Sequence, residues 1–503
     1  MGIIKPSSEW KEYIKFTDKC INYNSVNEYT LSNFFLHPTR PLIQTNRILL
    51  KLKNISLLYK FKVRTKFYIT FLQTVFNIFK ENNEKKILDN QKEIYKKNYD
   101  VIFITHLNNE KQLQSSVDDY FGDLINDISK KGTSVLLIFI PHIKPKKEEF
   151  IKYIKKKKGY DSYLLDEDIT SFKAKLKIIV SLLKERHKFL ELSRNISGYA
   201  SNLALYTAET FLSKKNFCNF IYGLQVGDII KNTKSKNLVT TFEGHSWERL
   251  FYFFSKRNNP SINCIGFQHT VIFKYQHSLS RLLRKQWNPN FILSTGNIST
   301  AFLNKKLSKE IVIKTLGSPK SNNSKIKKIN ITNRILFIPS GEEKEADFFI
   351  KFAYNFAKKY PDLKILIRFH PIINAKKFIQ RYPKIDNFHV SKSRIEYDSK
   401  QSRYVIYSTS TAVFESISLG CIPIRLNWNS VNDLSDPLWQ LKSKLPQTIY
   451  NSVELYNIIY KNKYSENNEN GLNKTFLKLN QDLDQLRFKL KKTVLYNIIK
   501  NNK

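Results

Sequence analysis

Short apolar runs ending on polar residues recur along this chain from residue 101 onward, with a helical stretch between most neighbours. That alternation constrains the fold more than any other feature. Runs at 101–106 (VIFITH), 133–142 (TSVLLIFIPH), 237–242 (NLVTTF), 263–267 (NCIGF) and 291–294 read as strands, and helices are expected at 112–131, 171–192 and 246–256. Strands alternating with helices predict a parallel α/β sheet. Leu316-Gly-Ser-Pro319, followed by Ser, Asn and Lys residues through 330, reads as an interdomain linker. A second series then begins, with strands at 334–339 (RILFIP), 364–369 (KILIRF), 388–390, 404–407 and 422–426 and helices at 343–359 and 412–419.

The expected class is α/β: two Rossmann-like domains facing a cleft. The expected boundaries are a basic, mainly helical region over 1–98, a first Rossmann-like domain over 99–312, a linker over 313–333, a second Rossmann-like domain over 334–440, and C-terminal helices over 441–503. A chain of 503 residues exceeds one core, so two domains are the natural division.

The net charge of +41 suggests an anionic partner: nucleic acid, phospholipid or a phosphorylated substrate. Lysines outnumber arginines by about four to one, as A/T-rich codon usage would produce, whereas readers of nucleic acid lean on the bidentate arginine fork. No nucleic-acid partner is expected. The four cysteines (Cys20, Cys218, Cys264, Cys421) lie far apart without a CxxC pair, which fits a reducing cytoplasm and argues against a zinc site. The N-terminus carries no apolar signal segment, and no apolar run reaches the ~20 residues of a spanning helix. Residues 41–80 mix Leu, Ile and Phe with Arg47, Lys51, Lys53, Lys60, Lys62, Arg64 and Lys66. They are read either as a surface lying on anionic lipid at the inner face of the cytoplasmic membrane, or as a solvated helical face packed on the neighbouring domain.

Two segments carry most of the chemistry. Ile367-Arg-Phe-His-Pro371 and Tyr407-Ser-Thr-Ser-Thr-Ala-Val-Phe-Glu415 each read as a buried strand running into a polar turn. Ligands of open parallel sheets bind at the carboxyl ends of strands, and hydroxyls leading into a helix suit a phosphate. In the first domain, the strand 237–242 ends at Glu243-Gly-His-Ser-Trp-Glu248 and the next strand at Gly266-Phe-Gln-His-Thr270. A carboxylate at a strand end suits a base that takes a proton from a hydroxyl. Glu248, on the following helix, is expected in a cap or an ion pair. There is no Asp-x-Asp motif on a suitable strand end, and no G-x-G-x-x-G, which argues against a nicotinamide dehydrogenase.

Ser408-Thr-Ser-Thr411, Glu415 and Gly420-Cys-Ile-Pro423, with His370-Pro371, resemble the donor-site signature of GT-B glycosyltransferases. The similarity is to the branch holding bacterial polysialyltransferases, Kdo transferases, capsule-synthesis proteins and CDP-glycerol glycerophosphotransferases. It covers mainly residues 237–430. The resemblance implies that His370, Pro371, Ser408, Thr409 and Ser410 hold the donor nucleotide; Glu415, one turn into the helix, is placed to accept from ribose hydroxyls, and Arg368 is an additional charge. It places Glu243 as the base, although Phe242 replaces the second acid of the polysialyltransferase motif. His269 is the second candidate, and His245 and Gln268 are auxiliary.

The implied activity is a metal-independent transfer of sugar from a nucleotide-activated donor, a CMP-sugar favoured, to a surface glycan or lipid-linked acceptor such as lipopolysaccharide or capsule. No cofactor is expected. The alternatives are a polyol-phosphate transferase of the CDP-glycerol type, a basic nucleic-acid-binding protein and a non-catalytic scaffold.

Overall fold

The computed structural model describes residues 7–22, 26–39, 43–80, 89–115, 117–143, 145, 147–156, 159–167, 170–307, 310–319, 321, 329–428, 435–441, 443–464 and 466–501. The chain folds into two units, one comprising Ser7–Thr270, Gln276–Lys320 and Leu490–Lys503, the other Val271–Tyr275 and Ser321–Lys489. Each holds one parallel sheet.

The first sheet has seven strands: β1 (Val101–Leu107), β2 (Val135–Pro141), β3 (Asp161–Leu164), β4 (Asn237–Thr241), β5 (Asn263–Gln268), β6 (Phe291–Ser294) and β7 (Val312–Thr315). Their spatial order is β3-β2-β1-β4-β5-β6-β7, all parallel. The order reverses between β1 and β4, which makes their carboxyl ends the topological switch point. Residues of β1 are buried along the whole strand, as expected for a central strand covered on both faces. Phe103, Leu137, Val239, Ile265 and Leu293 form one layer of the core.

Three helices, Phe172–Asn195, Gly198–Thr210 and Lys214–Thr233, intervene between β3 and β4. Only the first is legible as a helix from sequence periodicity. The third is buried on several sides and presents no single apolar stripe. It packs closely on helix Ser246–Asn258 because Gly223 and Gly227, one turn apart, leave room for Leu250 and Phe254. A Cβ on Gly223 would lie 3.1 Å from Leu250 Cβ, and one on Gly227 2.9 Å from Phe254 Cβ.

Several expected boundaries shift. The N-terminal region is helical over Ser8–Asn22, Ile43–Lys53 and Leu57–Lys80. It is no separate extension: Trp10, Tyr13, Phe16 and Ile21 share a core with Ile178, Leu182, Leu203, Phe220 and Phe254. Each buried apolar side chain of this kind contributes roughly 1.5–3 kcal/mol. Arg281, also buried, donates to the carbonyls of Leu36 (2.8 Å) and Thr17 (2.7 Å) and pairs with Asp18. The stretch placed in a linker from residue 313 instead begins inside β7, a half-exposed edge strand whose Lys314 masks its apolar pattern. Residues 322–328 of that linker lie outside the described residues. The C-terminal helices divide as well. Helix Lys492–Lys500 buries Leu495, Ile498 and Ile499 in the first domain's core.

The second sheet has six strands: β8 (Arg334–Phe337), β9 (Lys364–Ile367), β10 (Phe388–Val390), β11 (Tyr404–Tyr407), β12 (Ile422–Leu426) and β13 (Gln447–Ile449). They are parallel in the order β10-β9-β8-β11-β12-β13. This sheet switches between β8 and β11. Sequence reading missed β3, β7 and β13, each three or four residues long and at or next to a sheet edge.

Gly227→Val should overpack the helix pair and cost about 1–3 kcal/mol. Urea denaturation checks it, and an unchanged midpoint would show that the close approach is not a constraint.

Candidate functional site

In the first domain, the turn after β4 is built around a buried carboxylate. Glu248, in the first turn of helix Ser246–Asn258, accepts the backbone N–H groups of Glu243 (2.9 Å), Gly244 (2.6 Å) and His245 (2.8 Å). These N–H groups precede the helix and have no partner within it, so the carboxylate caps three donors at once. Burial pushes the Glu248 carboxyl up to about 7, against the pull of those donors. The chain turns through Gly244 at φ +81°, and a Cβ there would lie 2.2 Å from the Ser278 carbonyl oxygen. Only glycine fits.

This turn presents Glu243. One carboxylate oxygen accepts from Thr270 Oγ1 (2.7 Å), with His269 Nε2 at 3.9 Å; the other lies 3.2 Å from His245 Nε2. A quarter of the side chain is exposed. Burial pushes its pKa up, but the bonds from His245 and Thr270 and the fields of His245 and His269 hold it well below the usual carboxylate range. For His245 burial acts downward, and the Glu243 and Glu248 carboxylates nonetheless hold it above the ordinary histidine value. The His245 backbone N–H in turn reaches the Glu248 carboxylate, so the ring is carried on the capped turn itself. Its Nε2 is engaged by the Glu243 carboxylate, which makes His245 an orienting group for Glu243.

A cavity of about 820 Å³ opens beside this turn, wholly within the first domain. It is lined by Glu243, His245, His269, His106, His142 and Lys215 among others, and so gathers the carboxyl ends of β1, β2, β4 and β5. Its volume suits a small organic ligand. Sequence reading missed His106 and His142. Both end apolar strands, the same signal that singled out His370. Gln268 has a structural role: its side-chain amide donates to the Thr270 carbonyl and its oxygen accepts from Thr295 N (3.3 Å).

In the second domain, the turns after β8, β9 and β11 meet at the switch point. His370 Nδ1 accepts from Ile372 N (3.3 Å), which places the ring proton on Nε2. Desolvation draws its pKa below the usual histidine value, so the imidazole is a neutral donor at pH 7. The turn Ser340-Gly341 runs against this ring, where a Cβ on Gly341 would lie 3.2 Å from Nδ1. Glu345, fully buried, accepts from Ser340 N (3.0 Å), Ser340 Oγ (2.9 Å) and Thr409 Oγ1 (2.8 Å). It ties the β8 turn to the β11 turn, and burial pushes its pKa up. Sequence reading missed Ser340, Gly341 and Glu345.

Ser408 is buried, and its hydroxyl has no partner among the described residues. Ser410 is buried beside it and Pro371 is exposed after His370. The helix that follows, Val413–Ser418, is only six residues long, so donors in these turns depend on hydroxyls more than on a helix end. Glu415 Oε1 accepts from Arg487 (3.1 Å), whose guanidinium stacks over Phe414 at 4.2 Å. Arg368 faces away from these turns, bonding the Ser393 carbonyl and lying 3.4 Å from the buried Asp398. It holds the end of β9 against the turn after β10.

No protein-family model matches the chain, and no curated protein does. Solved structures do match. The glycotransferase of kitacinnamycin shares 8% identity at a TM-score of 0.47, covering 81% of this chain and 99% of its own. The wall teichoic acid polymerase TagF shares 13% at 0.42, covering 91% and 97%. UGT89C1 of Arabidopsis thaliana, complexed with UDP, shares 9% at 0.43, covering 80% and 99%. At such scores the likeness is one of chain path, and function has to be argued from side chains.

Proposed function

We propose that the protein is a glycosyltransferase that uses a nucleotide-activated sugar. The observation that carries this reading is Glu243: an ionised, partly exposed carboxylate at a switch point, held by Thr270, His245 and His269 on the wall of a ligand-sized cavity. The acceptor hydroxyl binds in this cavity. Its oxygen bonds to the anomeric carbon, the bond from that carbon to the nucleotide phosphate breaks, and the phosphate departs with the electron pair. Glu243 takes the hydroxyl proton. A carboxylate of low pKa is a weak base, so the proton moves late, once the oxygen has gained positive character on bonding.

The donor nucleotide is assigned to the second domain. His370 Nε2–H and the hydroxyls of Ser408, Thr409 and Ser410 supply donors for its phosphate, and Pro371 sets the turn. Glu345 holds the Thr409 and Ser340 turns in register. Glu415 is offered for the ribose, with one oxygen already engaged by Arg487. The motif resemblance favours a CMP-sugar and a surface glycan or lipid-linked acceptor. Polyol-phosphate transfer is the rival within the same architecture. A thermal-shift screen against CMP-, CDP-, UDP- and GDP-activated compounds separates them, because a ligand at 100 times its Kd adds ~2.7 kcal/mol of apparent stability.

The reading includes peripheral attachment to an anionic membrane. No helix among the described residues is long and apolar enough to cross one. Helix Leu57–Lys80 nevertheless exposes Leu57, Leu58, Phe61, Ile69, Leu72 and Phe76, with Leu57 85% exposed. At 100° per residue these fall on one face, and Lys62 and Lys66 flank it. The other side packs Tyr59 and Phe71 onto the core. Each lysine near an anionic bilayer adds about 1 kcal/mol, screened by salt.

His370→Ala should weaken nucleotide binding by ~1.5–3 kcal/mol, measured by calorimetry. An unchanged affinity rejects the donor site.

Glu243→Gln should lower turnover by ~10²–10⁴-fold with donor binding intact. If turnover holds and His269→Ala abolishes it, the base is His269. Since the Glu243 pKa lies below 4.5 in the folded state, the carboxylate stabilises the fold fully above pH 4.5 and progressively less as pH falls through the folded value. The stability difference between wild type and Glu243→Gln should therefore shrink below pH 4.5, and a constant difference in thermal unfolding contradicts the ion pairing.

Co-sedimentation with vesicles should require anionic lipid and diminish in high salt. Equal recovery on neutral vesicles excludes the electrostatic part.

A further inference from the structure

Beside Glu243, the cavity contains a hydrogen-bond relay for which the transfer step above has no use. Thr241, at the end of β4, is buried, and the one partner its hydroxyl finds among the described residues is His106 Nε2 at 3.0 Å. A buried hydroxyl donates where it can, so His106 Nε2 is the acceptor. The proton of His106 then resides on Nδ1 and is donated to His142 Nε2 at 2.8 Å. Because His142 Nε2 accepts, the neutral His142 ring carries its own proton on Nδ1, and His142 lines the cavity. The relay fixes two tautomers and ends in an N–H whose partner is not supplied by the described residues. Burial holds His106 down to about 3, so this imidazole stays neutral and the polarity of the relay persists.

Lys215 stands on the same wall. Its ammonium lies 4.8 Å from the centre of the Phe34 ring and pairs with no carboxylate among the described residues. The neighbouring Lys214, in contrast, bonds Glu167 at 2.5 Å. The charge of Lys215 acts on both His142 and His245, which places it in the same local field. Lys215 also sits in the first turn of the 20-residue helix Lys214–Thr233, whose amino end adds positive potential.

We propose that His142 and Lys215 form a phosphate subsite. In the terms of the transferase reading, on which this rests, it binds a phosphate group carried by the acceptor. The donor set favours phosphate over carboxylate. A lysine point charge and a single imidazole N–H suit a tetrahedral oxyanion approached from different directions, whereas a planar carboxylate is best matched by the bidentate arginine fork. No arginine among the described residues lines the cavity.

The test is ³¹P-detected titration of the full chain with inorganic phosphate and with glycerol phosphate, using acetate as the control anion. Lys215→Ala and His142→Gln are made beside the wild type, both at exposed side chains, with native folding verified by thermal unfolding. Phosphate should bind the wild type, each variant should weaken it by tenfold or more, and nucleotide affinity should stay unchanged. Equal phosphate affinity in wild type and variants overturns the subsite, as does acetate binding as tightly as phosphate. If Glu243→Gln abolishes transfer while phosphate fails to bind, the subsite falls and the transferase reading stands. Phosphate binding that depends on Lys215 and His142, in a protein that binds no nucleotide, has the opposite meaning.

Discussion

The carboxylate of Glu248 is the point on which the first domain's site depends. Three consecutive N–H groups, from Glu243 to His245, converge on it before the helix has begun to satisfy donors of its own. Without that cap the turn would bury unpaired donors, each costing about 1–3 kcal/mol. With it, the chain can reverse through Gly244 against the Ser278 carbonyl and deliver Glu243 to the cavity. The loop it leans on is itself anchored by Arg249, which donates to Asn288 Oδ1 (2.6 Å) and to the Ser278 carbonyl (3.0 Å). Arg281 extends that anchorage to the N-terminal helices. A reactive group at a strand end is only as well placed as the backbone behind it, and here two buried arginines and one buried glutamate hold that backbone.

The second domain repeats the arrangement with different atoms. Glu345 accepts from Ser340 and Thr409 and thereby joins the turns on either side of the switch point. In both domains a buried carboxylate from the first turn of a helix holds the strand-end loops, while the residues proposed to meet ligand stand outside it. Both carboxyls are pushed upward by burial, whereas Glu243 is pulled down by its neighbours. The contrast has a plain cause: burial outweighs the amide donors at Glu248 and Glu345, whereas histidine neighbours and the Thr270 hydroxyl outweigh burial at Glu243.

Much of this was legible without coordinates. The parallel class followed from apolar runs alternating with helices, and Glu243, His269, His370 and Ser408 were singled out as candidates because each stands where such a run ends. The short strands β3, β7 and β13 were not legible, since four residues with one lysine, as in β7, carry no period. Nor were Arg368 and Gln268 readable as structural residues. Both are polar residues at strand ends, and only their partners, Asp398 and Thr270, reveal that they face the scaffold. Helix Lys214–Thr233 escaped because burial on several faces erases the stripe that sequence analysis relies on.

The sequence by itself determined the longer elements with a clear period and the position of each chemical group along them, because strand and helix periods are local properties of the backbone. What only the tertiary structure decided is which of those groups share a cavity. His106, His142, Glu243 and His269 are separated by up to 163 residues in the chain, yet strand order β2-β1-β4-β5 sets them side by side. That order is a matter of long-range packing between helices and sheet, including an N-terminal segment and a C-terminal helix that no local pattern assigns to this domain. Pairing of strands distant in sequence depends on the summed burial of the whole core, and that sum is written in no single stretch of residues.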